Sequence, residues 1–326
     1  MPLMLSRNDV IQVLDMKDCI DVTEKAFAEM ANGTAVLPLR TNITPPGGLS
    51  LYMPAYLQKL GALACKIVTV YKENPTKYNM PVIVGKVLLQ DPNTGDVISI
   101  MDGGYLTAVR TGAASGVATK YMARDDEGQV AGIFGAGVQA QSQLWAMAEV
   151  RKLSRAIVHD ISDKATQAFI ANMSEKLKIK ITKAESPDAL LEQADIICAA
   201  TSSPTPIFDG NKVRPGTHIN GIGSHTPGAR ELDTAIISRS TLVADSYEAC
   251  LSEAGDIMIP IKEGAIDKSH MKAELGEIIT GKKPARTSKD EITIFKSNGL
   301  AIQDVATAKL VYDKAVKAGV GNSIDL

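Results

Sequence analysis

The sequence predicts an α/β protein: a doubly wound parallel sheet joined to a smaller α+β domain built from both chain ends. Three observations carry this. Strand, turn and helix alternate beyond residue 129, short proline-punctuated β-rich runs fill residues 35–101, and a helical pattern at 302–317 can close back on the first domain. A chain of 326 residues is long enough for two such domains. Their expected bounds are 1–124 with 300–326 for the smaller domain, and 125–299 for the sheet domain.

Residues 6–32 carry apolar side chains at helical spacing, from Val10 and Ile11 to Phe27 and Met30, with Gly33 as a stop; they predict two short helices broken near 15–18. Next come β-rich runs at 62–71, 82–90 and 97–101, the last two joined by the Asp91-Pro-Asn-Thr-Gly95 turn. A helix rich in Ala and Gly is expected over 107–123, and the polar stretch 124–128 is the candidate boundary. Beyond it the spacing predicts strands at 130–134, 155–159, 179–181, 194–199, 217–222 and 240–244, with helices at 138–151, 163–177 and 187–193. A turn at 284–288 and a further strand at 292–295 precede the closing helix.

Lys and Arg number 35 against 37 Asp and Glu, and the charges are scattered, which argues against a nucleic-acid partner. No apolar run approaches the roughly 20 residues that span a bilayer, and the opening residues lack a signal-peptide pattern. A cytoplasmic protein with no membrane partner is expected. Cys19, Cys65, Cys198 and Cys250 lie far apart and away from any histidine at ligand spacing, so reduced thiols and no metal site are expected.

The strongest motif is Gly135-Ala-Gly137-Val138-Gln139-Ala140, between a predicted strand and a predicted helix. There the first glycine permits a tight turn, the second lets backbone N–H groups approach a pyrophosphate, and the small alanine allows close packing. Asp160 ends the second strand 23 residues beyond Gly137, where a ribose-binding carboxylate belongs. A carboxylate there accepts from a free 2′-hydroxyl and repels a 2′-phosphate, and Ile161-Ser-Asp163 offers no cation, so NAD is expected over NADP. Thr201 after the fourth strand, and Gly221, Ile222 and Gly223 at the end of the fifth, lie at strand carboxyl ends, where open α/β sheets bind ligands. Together these features mark a Rossmann-type domain.

With the segments Leu37-Pro-Leu-Arg40, Tyr52-Met-Pro54, Cys65-Lys66, residues 101–113 around Arg110, His218 to Pro227, and Phe295 to Asp304, the chain resembles the ornithine cyclodeaminase/mu-crystallin family from end to end. The family also contains an archaeal-type alanine dehydrogenase and imino-acid reductases. The resemblance implies a substrate-binding and dimerisation domain made from the two chain ends, a homodimer, and an active site enclosed against the dinucleotide-binding domain. It also implies that Arg40, Lys66 and Arg110 bind a substrate carboxylate, with Lys66 able to handle a proton. A planar arginine fork suits two carboxylate oxygens, which makes this chemically sensible. Thr111, Thr201, Ser202, Ser297 and Asn298 match positions lining the nicotinamide, ribose or substrate side of the family site.

The chain departs from the cyclodeaminases where those enzymes carry acidic residues: His225 replaces one after the fifth strand, and Leu51 another before Met53-Pro54. Both changes remove negative charge that a second substrate ammonium would need, while His225 can trade protons near neutral pH. His159, His218 and His270 read as structural or exposed. The expected activity is NAD-dependent hydride transfer at the C–N bond of a small L-amino acid or its imine, of the alanine dehydrogenase or pyrroline-2-carboxylate and ketimine reductase kind. Ornithine cyclodeamination is the competing enzyme activity. A non-catalytic, crystallin-like dinucleotide-binding protein is the competing class.

Overall fold

A computed structural model of the protein describes residues 1–325. It divides into two compact units: Met1–Arg110 together with the chain from Leu300 onward, and Thr111–Gly299.

The first unit is one eight-stranded sheet with helices on one face. Its strands run in the order Asn322–Ser323, Leu3–Leu5, Val97–Asp102, Ile83–Gln90, Ala62–Val70, Leu49–Leu57 and Ala35–Val36, with Thr41–Ile43 also paired to Leu49–Leu57. The period-two pattern of half-buried strands is plain in Ala62–Val70, where Ala62, Ala64, Lys66 and Val68 are buried and the residues between them are not. The expected turn at 91–95 forms, with Gly95 at φ +78° and the Asp91 carboxylate accepting from Asn93 N at 2.8 Å. Helix Arg7–Val13 opens on a Ser6/Asp9 capping box, and Met16–Ala31 opens on Asp15. Helix Ala301–Ala318 packs on Met16–Ala31 and across three central strands. Gly319 ends it in the left-handed region at φ +64°.

The second unit is an all-parallel sheet of eight strands. They run Lys180–Lys183, Leu153–His159, Gln129–Phe134, Ile196–Ala199, His218–Gly221, Thr293–Lys296, Thr241–Ala244 and Met271–Glu274. Strand order reverses between Gln129–Phe134 and Ile196–Ala199, the switch point of a doubly wound sheet. The third strand lies later than the expected 179–181. Thr293–Lys296 inserts between the fifth strand and Thr241–Ala244, and the edge strand Met271–Glu274 was not expected, since Lys272 and Glu274 dilute its apolar signal. Central strands are fully buried, as in Ile196–Ala199, which is why they read as continuous apolar runs.

The division between the units falls at Arg110/Thr111, inside helix Gly103–Met122, and not at residue 124. The second half of that helix is packed into the second unit. A Cβ on Gly112 would lie 2.5 Å from Ser142 O, and Gln143 Nε2 donates to Thr111 O at 3.2 Å. Among the described residues no helix is long and apolar enough to cross a membrane.

The same helix begins with backbone contact inside the first unit, where a Cβ on Gly103 would lie 2.7 Å from the carbonyl carbon of Gly85. Gly103→Ala should therefore cost about 1–3 kcal/mol through overpacking against backbone. Urea unfolding checks this, and a variant as stable as the parent would show that the strand gives way freely.

Candidate functional site

In the first unit the sequence brings three charges into one dry place. Lys66 Nζ lies 2.7 Å from Asp304 Oδ2, and Arg110 Nε lies 2.8 Å from Asp304 Oδ1. Arg110 also donates through Nη1 to Gln303 Oε1 at 2.5 Å. All four side chains are buried. Lys66 is placed by the alternation of its strand, Arg110 by helix Gly103–Met122, and Gln303 and Asp304 by the first turn of Ala301–Ala318. Burial and the Arg110 charge pull the Lys66 pKa down, Asp304 pulls it back up, and Arg40 lowers it further, leaving it at about 8. Arg110 does not present a free fork, because Nε and Nη1 each take one donor from one of its two bidentate edges. Asp304 and Gln303 were not singled out in the sequence; the carboxylate needed beside two buried cations was the signal that could have found them.

Leu51 shares the Lys66 face of the sheet: Lys66 stands opposite Met53, and Leu51 opposite Val68 one step along. Arg40 lies just before strand Thr41–Ile43, half-buried and near enough to Lys66 to lower its pKa.

In the second unit the glycine-rich turn has the expected form. Gly135 sits at φ +99°, and a Cβ there would lie 2.5 Å from Ala200 O. Gly137 caps helix Val138–Val150 with no side-chain hydrogen bond, and a Cβ on it would meet nothing within 4 Å. Gly137 and Val138 are exposed, Gln139 is half-buried, and Ala140 is buried. The open N–H groups and the vacant space over Gly137 fit a pyrophosphate. Asp160 stands beside the turn, accepting from Ala136 N and Ser162 N at 2.8 Å each.

The remaining candidates lie on loops at the carboxyl ends of the strands, held by buried carboxylates that the sequence did not reveal. Glu231 accepts from Thr201 N at 2.6 Å and Gly223 N at 2.7 Å. Desolvation raises its pKa, while the Thr201 bond and Lys296 pull it down. Asp256 Oδ1 accepts from Glu231 N and Leu232 N, and Asp256 Oδ2 pairs with Lys296 Nζ at 2.9 Å. Lys296 Nζ in turn donates to Gly221 O at 3.2 Å and Ser224 O at 2.6 Å. A third acid, Asp245, accepts from Ser297 Oγ, Asn298 N and Gly299 N, and is held above its usual pKa chiefly by burial. Asn298 Nδ2 donates to Ala249 O, while its Oδ1 is buried without a partner. Ser202 and His225 are exposed, Ile222 and Thr111 half-buried, and His225 Nδ1 lies 3.0 Å from Gly223 O. His218 is buried between Thr293 and Asn220, its pKa pushed down to about 3 by burial, so it is a neutral structural residue.

The model of the ornithine cyclodeaminase/mu-crystallin family matches residues 1–319. The chain belongs to that family. A solved structure of Thermococcus litoralis Δ1-pyrroline-2-carboxylate reductase, in complex with NADH and L-proline, is 49% identical, with a TM-score of 0.95 over 99% of this chain and 100% of that one. An archaeal alanine dehydrogenase dimer with bound NAD is 35% identical, with a TM-score of 0.93 over 100% and 99%. Among curated proteins, a Δ1-pyrroline-2-carboxylate reductase of Bacillus cereus is 37% identical over 326 residues, 99% of each chain.

For this member of the family, Asp304 faces both Lys66 and Arg110 in their ion pairs. Lys66 can shed its proton but Arg110 cannot, so Asp304→Asn leaves a buried uncompensated charge and should cost about 3 kcal/mol in urea unfolding at pH 7. A loss below about 1 kcal/mol would show the cluster to be hydrated.

Proposed function

We propose that this protein is an NAD-dependent oxidoreductase acting at the C–N bond of a small 2-imino acid or the corresponding L-amino acid, and that reduction of pyrroline-2-carboxylate to proline suits its residues best. The observation that carries this is the buried cluster itself. Lys66 and Arg110 bring two buried cations to one carboxylate, Asp304, a balance that an anionic substrate would complete. The glycine turn and Asp160 fit NAD, whose reduced form supplies a hydride when bound. The similarity to a reductase that holds NADH and proline supports the same assignment here.

Arg110, oriented by Asp304 and Gln303, donates to the substrate carboxylate through Nη2, with Arg40 and Lys66 adding charge. Hydride addition at Cα requires a proton on the imine nitrogen, and a Lys66 ammonium with a pKa of about 8 suits the role of supplying it. His225, exposed and with Nδ1 3.0 Å from Gly223 O, is the other candidate for proton handling. Leu51, half-buried on the Lys66 face of the sheet, offers an apolar surface that suits a methyl or ring methylene. Asn298, with a buried oxygen lacking a partner, is the candidate acceptor for a substrate or cofactor donor. Thr111, Thr201, Ser202, Ile222 and Ser297 remain candidates for the cofactor's nicotinamide and ribose side.

The protein is proposed to be a homodimer. Opposite its helix-covered face, the sheet of the first unit presents Tyr52, Tyr56, Leu63, Ile67 and Leu88, all only half-buried, as an apolar surface a second copy would cover. Its four free thiols suit the reducing cytoplasm.

Because reduction uses the protonated form of Lys66, kcat/KM for imine reduction should fall tenfold per pH unit above about 8, while oxidation of the amino acid should rise over the same range. Lys66→Met should abolish that limb and slow reduction at least 100-fold; a limb that persists in the variant would remove Lys66 as the donor. Substrate choice is tested by comparing ornithine with pyrroline-2-carboxylate. An ammonium against Leu51 would lose hydration without a partner, whereas each buried CH₂ gains roughly 0.8 kcal/mol. Negligible conversion of ornithine to proline is expected, and a kcat/KM for ornithine above that for the cyclic imine would overturn the assignment.

A further inference from the structure

We propose that Glu231 is a positioning residue for the nicotinamide half of the dinucleotide site, acting through the backbone of the two loops that follow the fourth and fifth strands. This rests on the dinucleotide-binding function proposed above. One carboxylate spans two loops: Oε1 accepts from Thr201 N and Oε2 from Gly223 N, at 2.6 and 2.7 Å. The separation of the loops is thereby fixed by the width of a carboxylate. No slack exists at this point, since a Cβ on Gly223 would lie 2.3 Å from both Glu231 Oε2 and Thr201 O.

The carboxylate is itself anchored. Its own N–H and that of Leu232 donate to Asp256, Asp256 pairs with Lys296, and Lys296 donates back to Gly221 O and Ser224 O. Glu231, Asp256 and Lys296 have no solvent contact. Three buried charges are a costly means of stabilising a loop, and buried ion pairs of this kind confer defined geometry more than stability. What they define here is the end of the sheet where ligands bind in doubly wound folds. None of these bonds involves residues 135–140 or Asp160, which hold the adenosine and pyrophosphate side in the proposed site.

Glu231 therefore affects one half of the cofactor, and the two halves are separable by ligand. ADP carries the adenosine and pyrophosphate without the second ribose or nicotinamide; NADH carries all of it. Glu231→Gln keeps the shape but offers one acceptor oxygen to two N–H donors, so one loop must move. In the purified full-length protein, NADH affinity should fall about tenfold in this variant, the scale of one buried donor left without an acceptor, while ADP affinity stays within about twofold. Gly223→Ala, which pushes on the same carboxylate, should give the same selective loss and serves if Glu231→Gln does not fold. Met147→Ala, a cavity in the core of the same unit, is the control: it should lower the Tm without separating the two ligands. Parallel losses for NADH and ADP, or no loss of either, would overturn the positioning role. A parent protein that binds neither ligand would instead overturn the dinucleotide-binding function on which it rests.

Discussion

Charge kept away from water must be paired within the fold, and in the first unit that requirement converges on Asp304. Lys66 comes from a central strand, Arg110 from a helix that starts at the end of another strand, and Asp304 from the last helix of the chain, so the ion pairs join segments separated by more than 190 residues. Asp304 lies in the first turn of its helix, where the backbone dipole favours a negative charge. The closing helix thus supplies the counterion without which two cations could not stay buried in the sheet, and a domain built from both chain ends follows from that need.

The second unit meets the same constraint with the opposite sign. Glu231 and Asp256 share the single cation of Lys296, and their spare acceptor capacity goes to backbone N–H groups of the loops above the sheet. In the first unit, cations outnumber the carboxylate and the surplus suits an anionic ligand; in the second, the acids satisfy their surplus internally and the surplus becomes loop geometry. Under the function proposed above, buried charge would select a ligand in one case, and it sets a shape in the other.

The difference between these two uses explains what could be read from the sequence. The glycine turn was legible because its chemistry is local: Gly135, Gly137 and Ala140 are required at fixed offsets by one tight turn and one helix start. Asp160 was legible for the same reason, through the length of one βαβ unit. Lys66 and Arg110 became visible only through the motifs that resemble a family, since a single lysine on a strand carries no spacing signal. Glu231, Asp256 and Lys296 were invisible, because each is paired across a distance in sequence that no periodicity records. The insertion of Thr293–Lys296 between two earlier strands escaped notice on the same grounds: its apolar run was detectable, whereas its neighbours are set by topology. The boundary was misplaced at a polar loop for a related reason. Polarity marks solvent, while the actual division follows Gly112, whose missing side chain lets half a helix pack elsewhere.

A pKa of about 8 for Lys66 belongs to the ligand-free cluster, in which burial and the charges of Arg110 and Arg40 outweigh Asp304. A substrate carboxylate arriving there adds a negative charge beside the ammonium, and a nearby opposite charge favours the protonated form. In the proposed function, binding an anionic imine would therefore secure the proton that its reduction consumes. Binding the amino acid for oxidation secures it equally, although the reverse reaction needs the neutral amine to accept a proton. In the proposed function the same cluster would therefore favour reduction as the pH falls through 8, and a lysine paired with a carboxylate of its own, without two arginines nearby, would titrate too high to respond in that range.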